Sequence, residues 1–119
     1  MIEVTFDPRT KLVRAAMAGS LTVEEVQRFS VQEQAAVRAM GLASGQFFLL
    51  VEARGSVVQS QEVVEAFQQL MLHSPLKAKR IATVRAGALS TIQTRRIATV
   101  RDSARVFETV EQAEAWLFS

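Results

Sequence analysis

The sequence predicts a single α/β domain built on one mostly parallel, five-stranded sheet with four helices. Three observations lead to this prediction. The chain has 119 residues, the length of one domain with one core. Its composition, 49% hydrophobic and 22% charged, is typical of a folded globular protein. After an opening hairpin, short apolar runs alternate with segments of helical spacing, which is the pattern of strands joined by helical crossovers.

Local signals predict each element. Thr22 and Glu25 have the spacing of a capping box, in which each side chain bonds the backbone amide of the other residue at the start of a helix. Residues 47–51 form an uninterrupted apolar run, as in a central strand covered on both faces. The predicted elements, in chain order, are a strand Ile2–Phe6, a strand Leu12–Met17, a helix Val23–Met40, a strand Phe47–Val51 followed by a turn at Arg54–Ser56, a helix Ser60–His73, a strand Ile81–Val84, a helix Ala88–Val100, a strand Ala104–Glu108 and a helix opened by Thr109 with Gln112.

The hexapeptide Arg-Ile-Ala-Thr-Val-Arg occurs twice, at residues 80–85 and 96–101. The first copy follows a helix that Pro75 terminates and precedes Gly87, so we predict a strand. No helix breaker separates the second copy from the helical pattern that begins near Ala88, so we predict a helix there. We interpret the duplication as coincidence, since a single sixteen-residue period is too short for a repeat architecture.

Composition limits the chemistry. The chain has no Cys and one His, which excludes disulfides, thiolate metal sites, cysteine nucleophiles and zinc sites with several imidazoles. We therefore predict no metal and no cofactor. His73 has no Gly-x-Ser-x-Gly nucleophile to serve, so we predict that the protein is not an enzyme. Hydrolysis or group transfer through Glu33 or His73 is the alternative.

The charge is unevenly distributed. Residues 1–76, 77–105 and 106–119 carry formal charges of −2, +7 and −3. The basic segment contains none of the aromatic residues that nucleic-acid readers usually add, so we predict a solvated basic face and no nucleic-acid partner. The amino terminus has no signal-peptide pattern, and no run approaches the roughly 20 apolar residues of a membrane span, which predicts a cytoplasmic protein.

Four segments carry a resemblance to a known family: Gly19–Thr22 before the first helix, Phe47–Glu52, Arg80–Val84, and the ending from Arg105 to Leu117. With the opening hairpin, they resemble the STAS or SpoIIAA-like family, which has the anti-sigma-factor antagonist fold and is related to the CRAL-TRIO lipid-binding domains. The resemblance spans nearly the whole chain and implies a small stand-alone bacterial member. It rests on core and capping patterns, so it indicates a fold more than an activity.

In regulatory STAS proteins a serine at the start of the helix after the central strand is phosphorylated, in an Asp-Ser-Ser-Gly setting. The resemblance makes Ser60 the corresponding candidate and Ser56 the second one. Ser60 lacks the flanking Asp and Gly, however, and is also a plausible helix cap.

The carboxyl ends of parallel strands are the expected ligand site of this fold class, because helix amino termini present free amides there. The candidate ligand-binding residues at that edge are Glu52, Arg54, Ser56, Ser60, Arg85, Gly87 and Ser90. Solvated loops and caps are the other interpretation. Glu33 and Arg96 fall within the apolar arcs of their helices, so each could line a pocket, face a subunit interface or flank the buried face.

These observations favour a non-enzymatic STAS-like regulatory or protein-interaction module, acting on a protein partner or as a homodimer. Val31 and Leu72, which point away from the apolar faces of their helices, are candidates for the dimer contact. The alternative is a carrier that holds a small apolar molecule, such as a lipid, or an anionic metabolite between the helices and the sheet.

Overall fold

The computed structural model describes residues 1–85, 88–98 and 101–119; at residues 56, 88–91 and 98 it describes the backbone alone. In these residues the chain forms five strands and four helices. Their bounds are β1 Ile2–Asp7, β2 Leu12–Gly19, α1 Val23–Ala39, β3 Phe48–Ser56, α2 Gln61–His73, β4 Arg80–Val84, α3 Ala88–Ala98, β5 Ala104–Phe107 and α4 Val110–Leu117. The predicted order of elements is confirmed.

The five strands form one sheet in the order β1-β2-β3-β4-β5. β1 and β2 are antiparallel, and the pairs β2–β3, β3–β4 and β4–β5 are parallel. β3 is the central strand, as its apolar run predicts. The prediction of a mostly parallel sheet opened by a hairpin is therefore confirmed.

The sheet separates two apolar clusters. One face packs on α1 and α2 through a core that includes Val13, Phe29, Val37, Leu49 and Val63. The other face packs on α4, through a smaller cluster that includes Leu50, Val84, Ala113 and Leu117. Side chains of α3 line a cavity together with those of α1 and α2, so α3 lies over the same face of the sheet as those two helices.

Capping residues set the helix ends. Thr22 and Glu25 form both hydrogen bonds of the predicted capping box at the start of α1. The helix ends in a Schellman motif, because the Gly41 amide donates to the Arg38 carbonyl at 2.9 Å and the Leu42 amide to the Val37 carbonyl at 3.2 Å. Gly41 has a φ of +69°, a conformation that favours glycine at this position.

The two copies of the duplicated hexapeptide adopt different structures. Arg80–Val84 is β4, whereas Arg96, Ile97 and Ala98 are the last turn of α3. Both predictions are confirmed over the described residues, and the end of the second copy, at residues 99–100, lies outside them. The described residues of the two copies therefore take their conformation from their neighbours in the chain.

Two predicted features are wrong. The turn expected at residues 54–56 is part of β3, because Ala18 and Gly19 pair with Gly55 and Ser56 after a register shift between β2 and β3 and so extend the ladder. The apolar arc predicted for α3 is not its buried face: Ile92 is 55% exposed. α3 instead turns Gln93, Thr94 and Ile97 towards the protein, so that polar side chains take part in its packing.

Candidate functional site

A cavity of about 100 Å³ lies between the sheet and the helices α1, α2 and α3, and it is partly open to solvent. Its floor comes from alternate residues of β3 and β4, because successive strand residues point to opposite faces. Apolar side chains form most of its wall. These are Met17, Leu21, Phe29, Leu49, Val51, Ala53, Phe67, Leu70, Met71, Leu76, Ala78, Ile81, Ile97 and Ala104.

Glu33 is the acidic side chain of this cavity. It lies on α1 in the same apolar stripe as Phe29 and Val37, and it is 6% exposed. Among the described residues its carboxylate has no hydrogen bond and no cationic nitrogen within 4.0 Å. Burial raises its pKa from 4.5 to about 7, against the opposing effect of the Arg101 charge. Near neutral pH the carboxyl group therefore exchanges between its charged and neutral forms.

Arg101 is the cationic residue whose charge lowers the pKa of Glu33. Its guanidinium lines the cavity and donates from Nη2 to the Ala78 carbonyl at 2.7 Å. Arg101 precedes β5 and Ala78 precedes β4, so the bond joins the amino ends of two neighbouring parallel strands. Burial lowers the pKa of Arg101 and the Glu33 charge raises it. Glu33 and Arg101 thus form an electrostatic pair without direct contact.

The opposite end of the cavity contains Arg85, Gln59 and Gln93. Arg85 follows β4 and is 6% exposed; its Nη2 donates to the Val57 carbonyl at 3.2 Å, and burial lowers its pKa. The Gln59 side chain accepts from the Leu21 amide at 2.8 Å and donates to the Gly19 carbonyl at 3.0 Å. These bonds connect the ends of β2, β3 and β4.

The structure separates the charged residues predicted to bind a ligand. Glu52 and Arg54 alternate with Val51 and Ala53, which line the cavity, so their side chains lie on the opposite face of the sheet. There the Arg54 guanidinium donates to the Glu52 carboxylate at 2.5 Å. The prediction that both residues follow the strand is wrong, because β3 continues to Ser56. Of the charged residues Glu52, Arg54 and Arg85, Arg85 is the one that lines the cavity.

The predicted serines lie at helix starts or strand ends. Ser60 is the N-cap of α2, where its hydroxyl accepts from the Val63 amide at 3.3 Å. Ser56 ends β3 and Ser90 lies in the first turn of α3, while Gly87 lies outside the described residues. Phosphorylation of Ser60 or Ser56 stays a prediction.

The two charges predicted on helix faces have different positions. Glu33 lines the cavity, whereas Arg96 is exposed and lies outside the cavity wall, on the same side of α3 as Ile92. Arg96 is thus not part of this cavity, and its pocket and interface interpretations stay predictions. His73, in the last turn of α2, is exposed and also lies outside the cavity wall.

Sequence reasoning missed Arg101, Gln59 and Gln93 as parts of the cavity. The sequence assigns Arg101 to the basic segment, and its place just before a predicted parallel strand is a signal that it lies at an end of the sheet. The Gln59 and Gln93 side chains carry no motif, and their contact across 34 positions has no local signal.

In the described part of the chain, no three His, Asp or Glu residues come together as metal ligands. None of the helices described is long and apolar enough to cross a bilayer.

The element order and the sheet topology define a SpoIIAA-like α/β fold, the class that the sequence resemblance implies. Among solved structures, the chain is similar to an uncharacterised protein of the DUF3478 family with a SpoIIAA-like fold from Shewanella loihica PV-4. That match has a TM-score of 0.73 and 19% sequence identity, and it covers 98% of this chain and 92% of the other. No family model matches the sequence, and no curated protein matches it.

Proposed function

We propose that this protein is a non-enzymatic STAS-like module that binds a small, largely apolar molecule in the cavity between its sheet and helices. The observation that carries the proposal is the buried Glu33 carboxylate, which faces an apolar cavity without a hydrogen bond to any described residue. Burial of a charge without a close partner costs several kcal/mol, so stability alone favours an apolar side chain there. A charged residue at a position where the fold favours an apolar one is typical of functional sites.

The size of the cavity limits the occupant. A closed apolar cavity of about 150 Å³ holds benzene, so about 100 Å³ encloses a somewhat smaller molecule, or one end of a longer molecule that extends through the opening. A complete lipid is too large to be enclosed. This supports the small-molecule side of the carrier hypothesis more than its lipid side.

Native mass spectrometry of freshly purified protein tests the proposal. We expect an adduct of constant mass, which Ile97→Phe removes because the larger side chain fills part of the cavity. Ile92→Phe is the matched control, since Ile92 lies on the same helix and is 55% exposed. Unmodified mass in the wild type, together with no amide shift at Glu33 or Ile97 when small apolar compounds are added, contradicts the proposal.

A regulatory module that acts as a homodimer is the second candidate. The observation that favours it is the exposure of two apolar side chains, Val31 on α1 (67%) and Leu72 on α2 (42%), on helices that contact each other. If a second copy of the chain covers them, light scattering should give twice the monomer mass, and Val31→Lys with Leu72→Lys should give the monomer. A monomeric wild type at high concentration rules this candidate out.

A further inference from the structure

We propose that the molecule held in the cavity is a small carboxylic acid, whose carboxyl group binds between Glu33 and Arg101. This inference rests on the proposed function and specifies the chemical class of the ligand. It follows from the hydrogen-bonding groups of Glu33 and Arg101 that have no partner among the described residues, and from the charges that line the cavity.

The first step is the supply of donors and acceptors. Arg101 uses Nη2 for the Ala78 carbonyl, and its Nε and Nη1 hydrogens are bonded to no described residue. The Glu33 oxygens accept no hydrogen bond in the described part of the chain. The two groups line one cavity and form no direct ion pair within 4.0 Å, so both are available to a third group. A carboxyl group suits both, because it accepts from a guanidinium and shares a proton with a second carboxylate.

The second step is charge. Glu33 shares the cavity lining with three cationic side chains, which are Arg101 before β5, Lys77 before β4 and, at the opposite end, Arg85 after β4. The described parts of α2 and α3 contribute only uncharged side chains to the wall, as does the rest of the lining from α1. Three cations against one carboxylate favour an anion over an amine.

The third step is the proton. With Glu33 charged, Glu33, Arg101 and a bound carboxylate carry a net charge of −1, and one proton from solvent neutralises the group. A neutral cluster is strongly preferred in an apolar cavity. Binding therefore takes up one proton from solvent when Glu33 is initially charged, and no bond between heavy atoms forms or breaks. The proton is shared between Glu33 and the ligand.

The experiment compares pentanoate, 1-pentanol and pentylamine by calorimetry. We expect pentanoate to bind most tightly and its affinity to fall about hundredfold from pH 6 to pH 9, because Glu33 titrates near 7. At pH 8, titrations in buffers of different ionisation enthalpy should show uptake of nearly one proton per ligand.

Three variants isolate the residues involved. Glu33→Gln imitates the protonated form, so it should bind pentanoate at pH 9 about as tightly as the wild type does at pH 6. Arg101→Gln should lose at least tenfold in affinity for pentanoate. Arg95→Gln, an exposed arginine of α3, is the control and should change nothing.

The outcomes separate this inference from the proposed function. If 1-pentanol or pentylamine binds more tightly than pentanoate, the carboxylic acid is wrong and the cavity is still a binding site. An unchanged pH profile in Glu33→Gln, with its far-UV spectrum and unfolding midpoint showing a folded protein, also overturns the inference. If no probe binds and native mass spectrometry shows no adduct, both proposals fail.

Discussion

The side-chain amide of Gln93 pairs with the backbone of Gln59 through two hydrogen bonds of 2.7 Å. Its Oε1 accepts from the Gln59 amide and its Nε2 donates to the Gln59 carbonyl, as a neighbouring strand would. This contact attaches α3 to the segment between β3 and α2, at one end of the cavity. The position of α3 therefore depends on a polar contact at a place where most helices rely on apolar packing.

Gln93→Ala should lower the free energy of unfolding by about 2 kcal/mol, because two backbone groups of a buried residue lose their partners. Denaturant titration measures the change. Gln69→Ala, at an exposed position of α2, is the control and should stay within about 0.5 kcal/mol of the wild type. Equal effects of the two substitutions would refute the structural role of the Gln59–Gln93 pair.

Glu33 should make stability depend on pH. Its pKa in the folded state is about 7, above the unfolded value of 4.5, so the folded protein binds the extra proton between these values. The free energy of unfolding should therefore decrease as pH rises from about 4.5 to 7, by about 3 kcal/mol in total, and then level off.

Glu33→Gln should remove this decrease and exceed the wild type in stability at pH 8 while matching it near pH 4. Glu108→Gln, at an exposed position, serves as the control. Urea unfolding midpoints measured across this pH range provide the comparison. A Glu33→Gln protein less stable than the wild type at pH 8 contradicts the prediction.

Arg101→Gln should raise the pKa of Glu33 above about 7, because the Arg101 charge lowers that pKa in the wild type. Arg101→Lys should keep most of the effect, since it keeps the positive charge. NMR titration of the Glu33 side-chain carboxyl carbon measures both values. An identical Glu33 pKa in the wild type and Arg101→Gln would show that the two groups do not interact.

Thr83 offers a test of the apolar wall. Its hydroxyl lies at the cavity and forms no hydrogen bond with the described residues, so Thr83→Val should be neutral or raise stability by up to about 1 kcal/mol. Val84→Thr is the reciprocal change on the adjacent residue, which is fully buried against α4, and should cost about 1–3 kcal/mol. Thermal unfolding of both variants distinguishes the two faces of β4, and a clear loss in Thr83→Val would place a partner on that hydroxyl.

The order of the elements could be predicted because its signals are local. The Thr22 capping box, the Ser60 cap and the apolar run of β3 each lie within a few residues of the structure they specify. The position of each strand in the sheet could be predicted because strands that alternate with helices can be connected in only a few topologies.

The site could be predicted only in part, because it is made by contacts between distant residues. The helical spacing placed Glu33 on an apolar face, but nothing near it in the sequence indicates Arg101, which is 68 positions away. The extension of β3 to Ser56 depends on pairing with β2, which also has no local signal. Because β3 continues past Val51, Glu52 and Arg54 are strand residues, and their side chains lie on the face opposite the cavity.

The spatial order of the strands is the order of the chain, and this has a consequence for how the protein folds. Each strand after the first adds to an edge formed by the strand immediately before it, so no strand has to be inserted between two that are already paired. Each connection therefore closes between strands that are neighbours in the chain as well as in the sheet. Such a chain can assemble progressively from its amino terminus while synthesis continues, and β5, the last strand to arrive, completes the sheet.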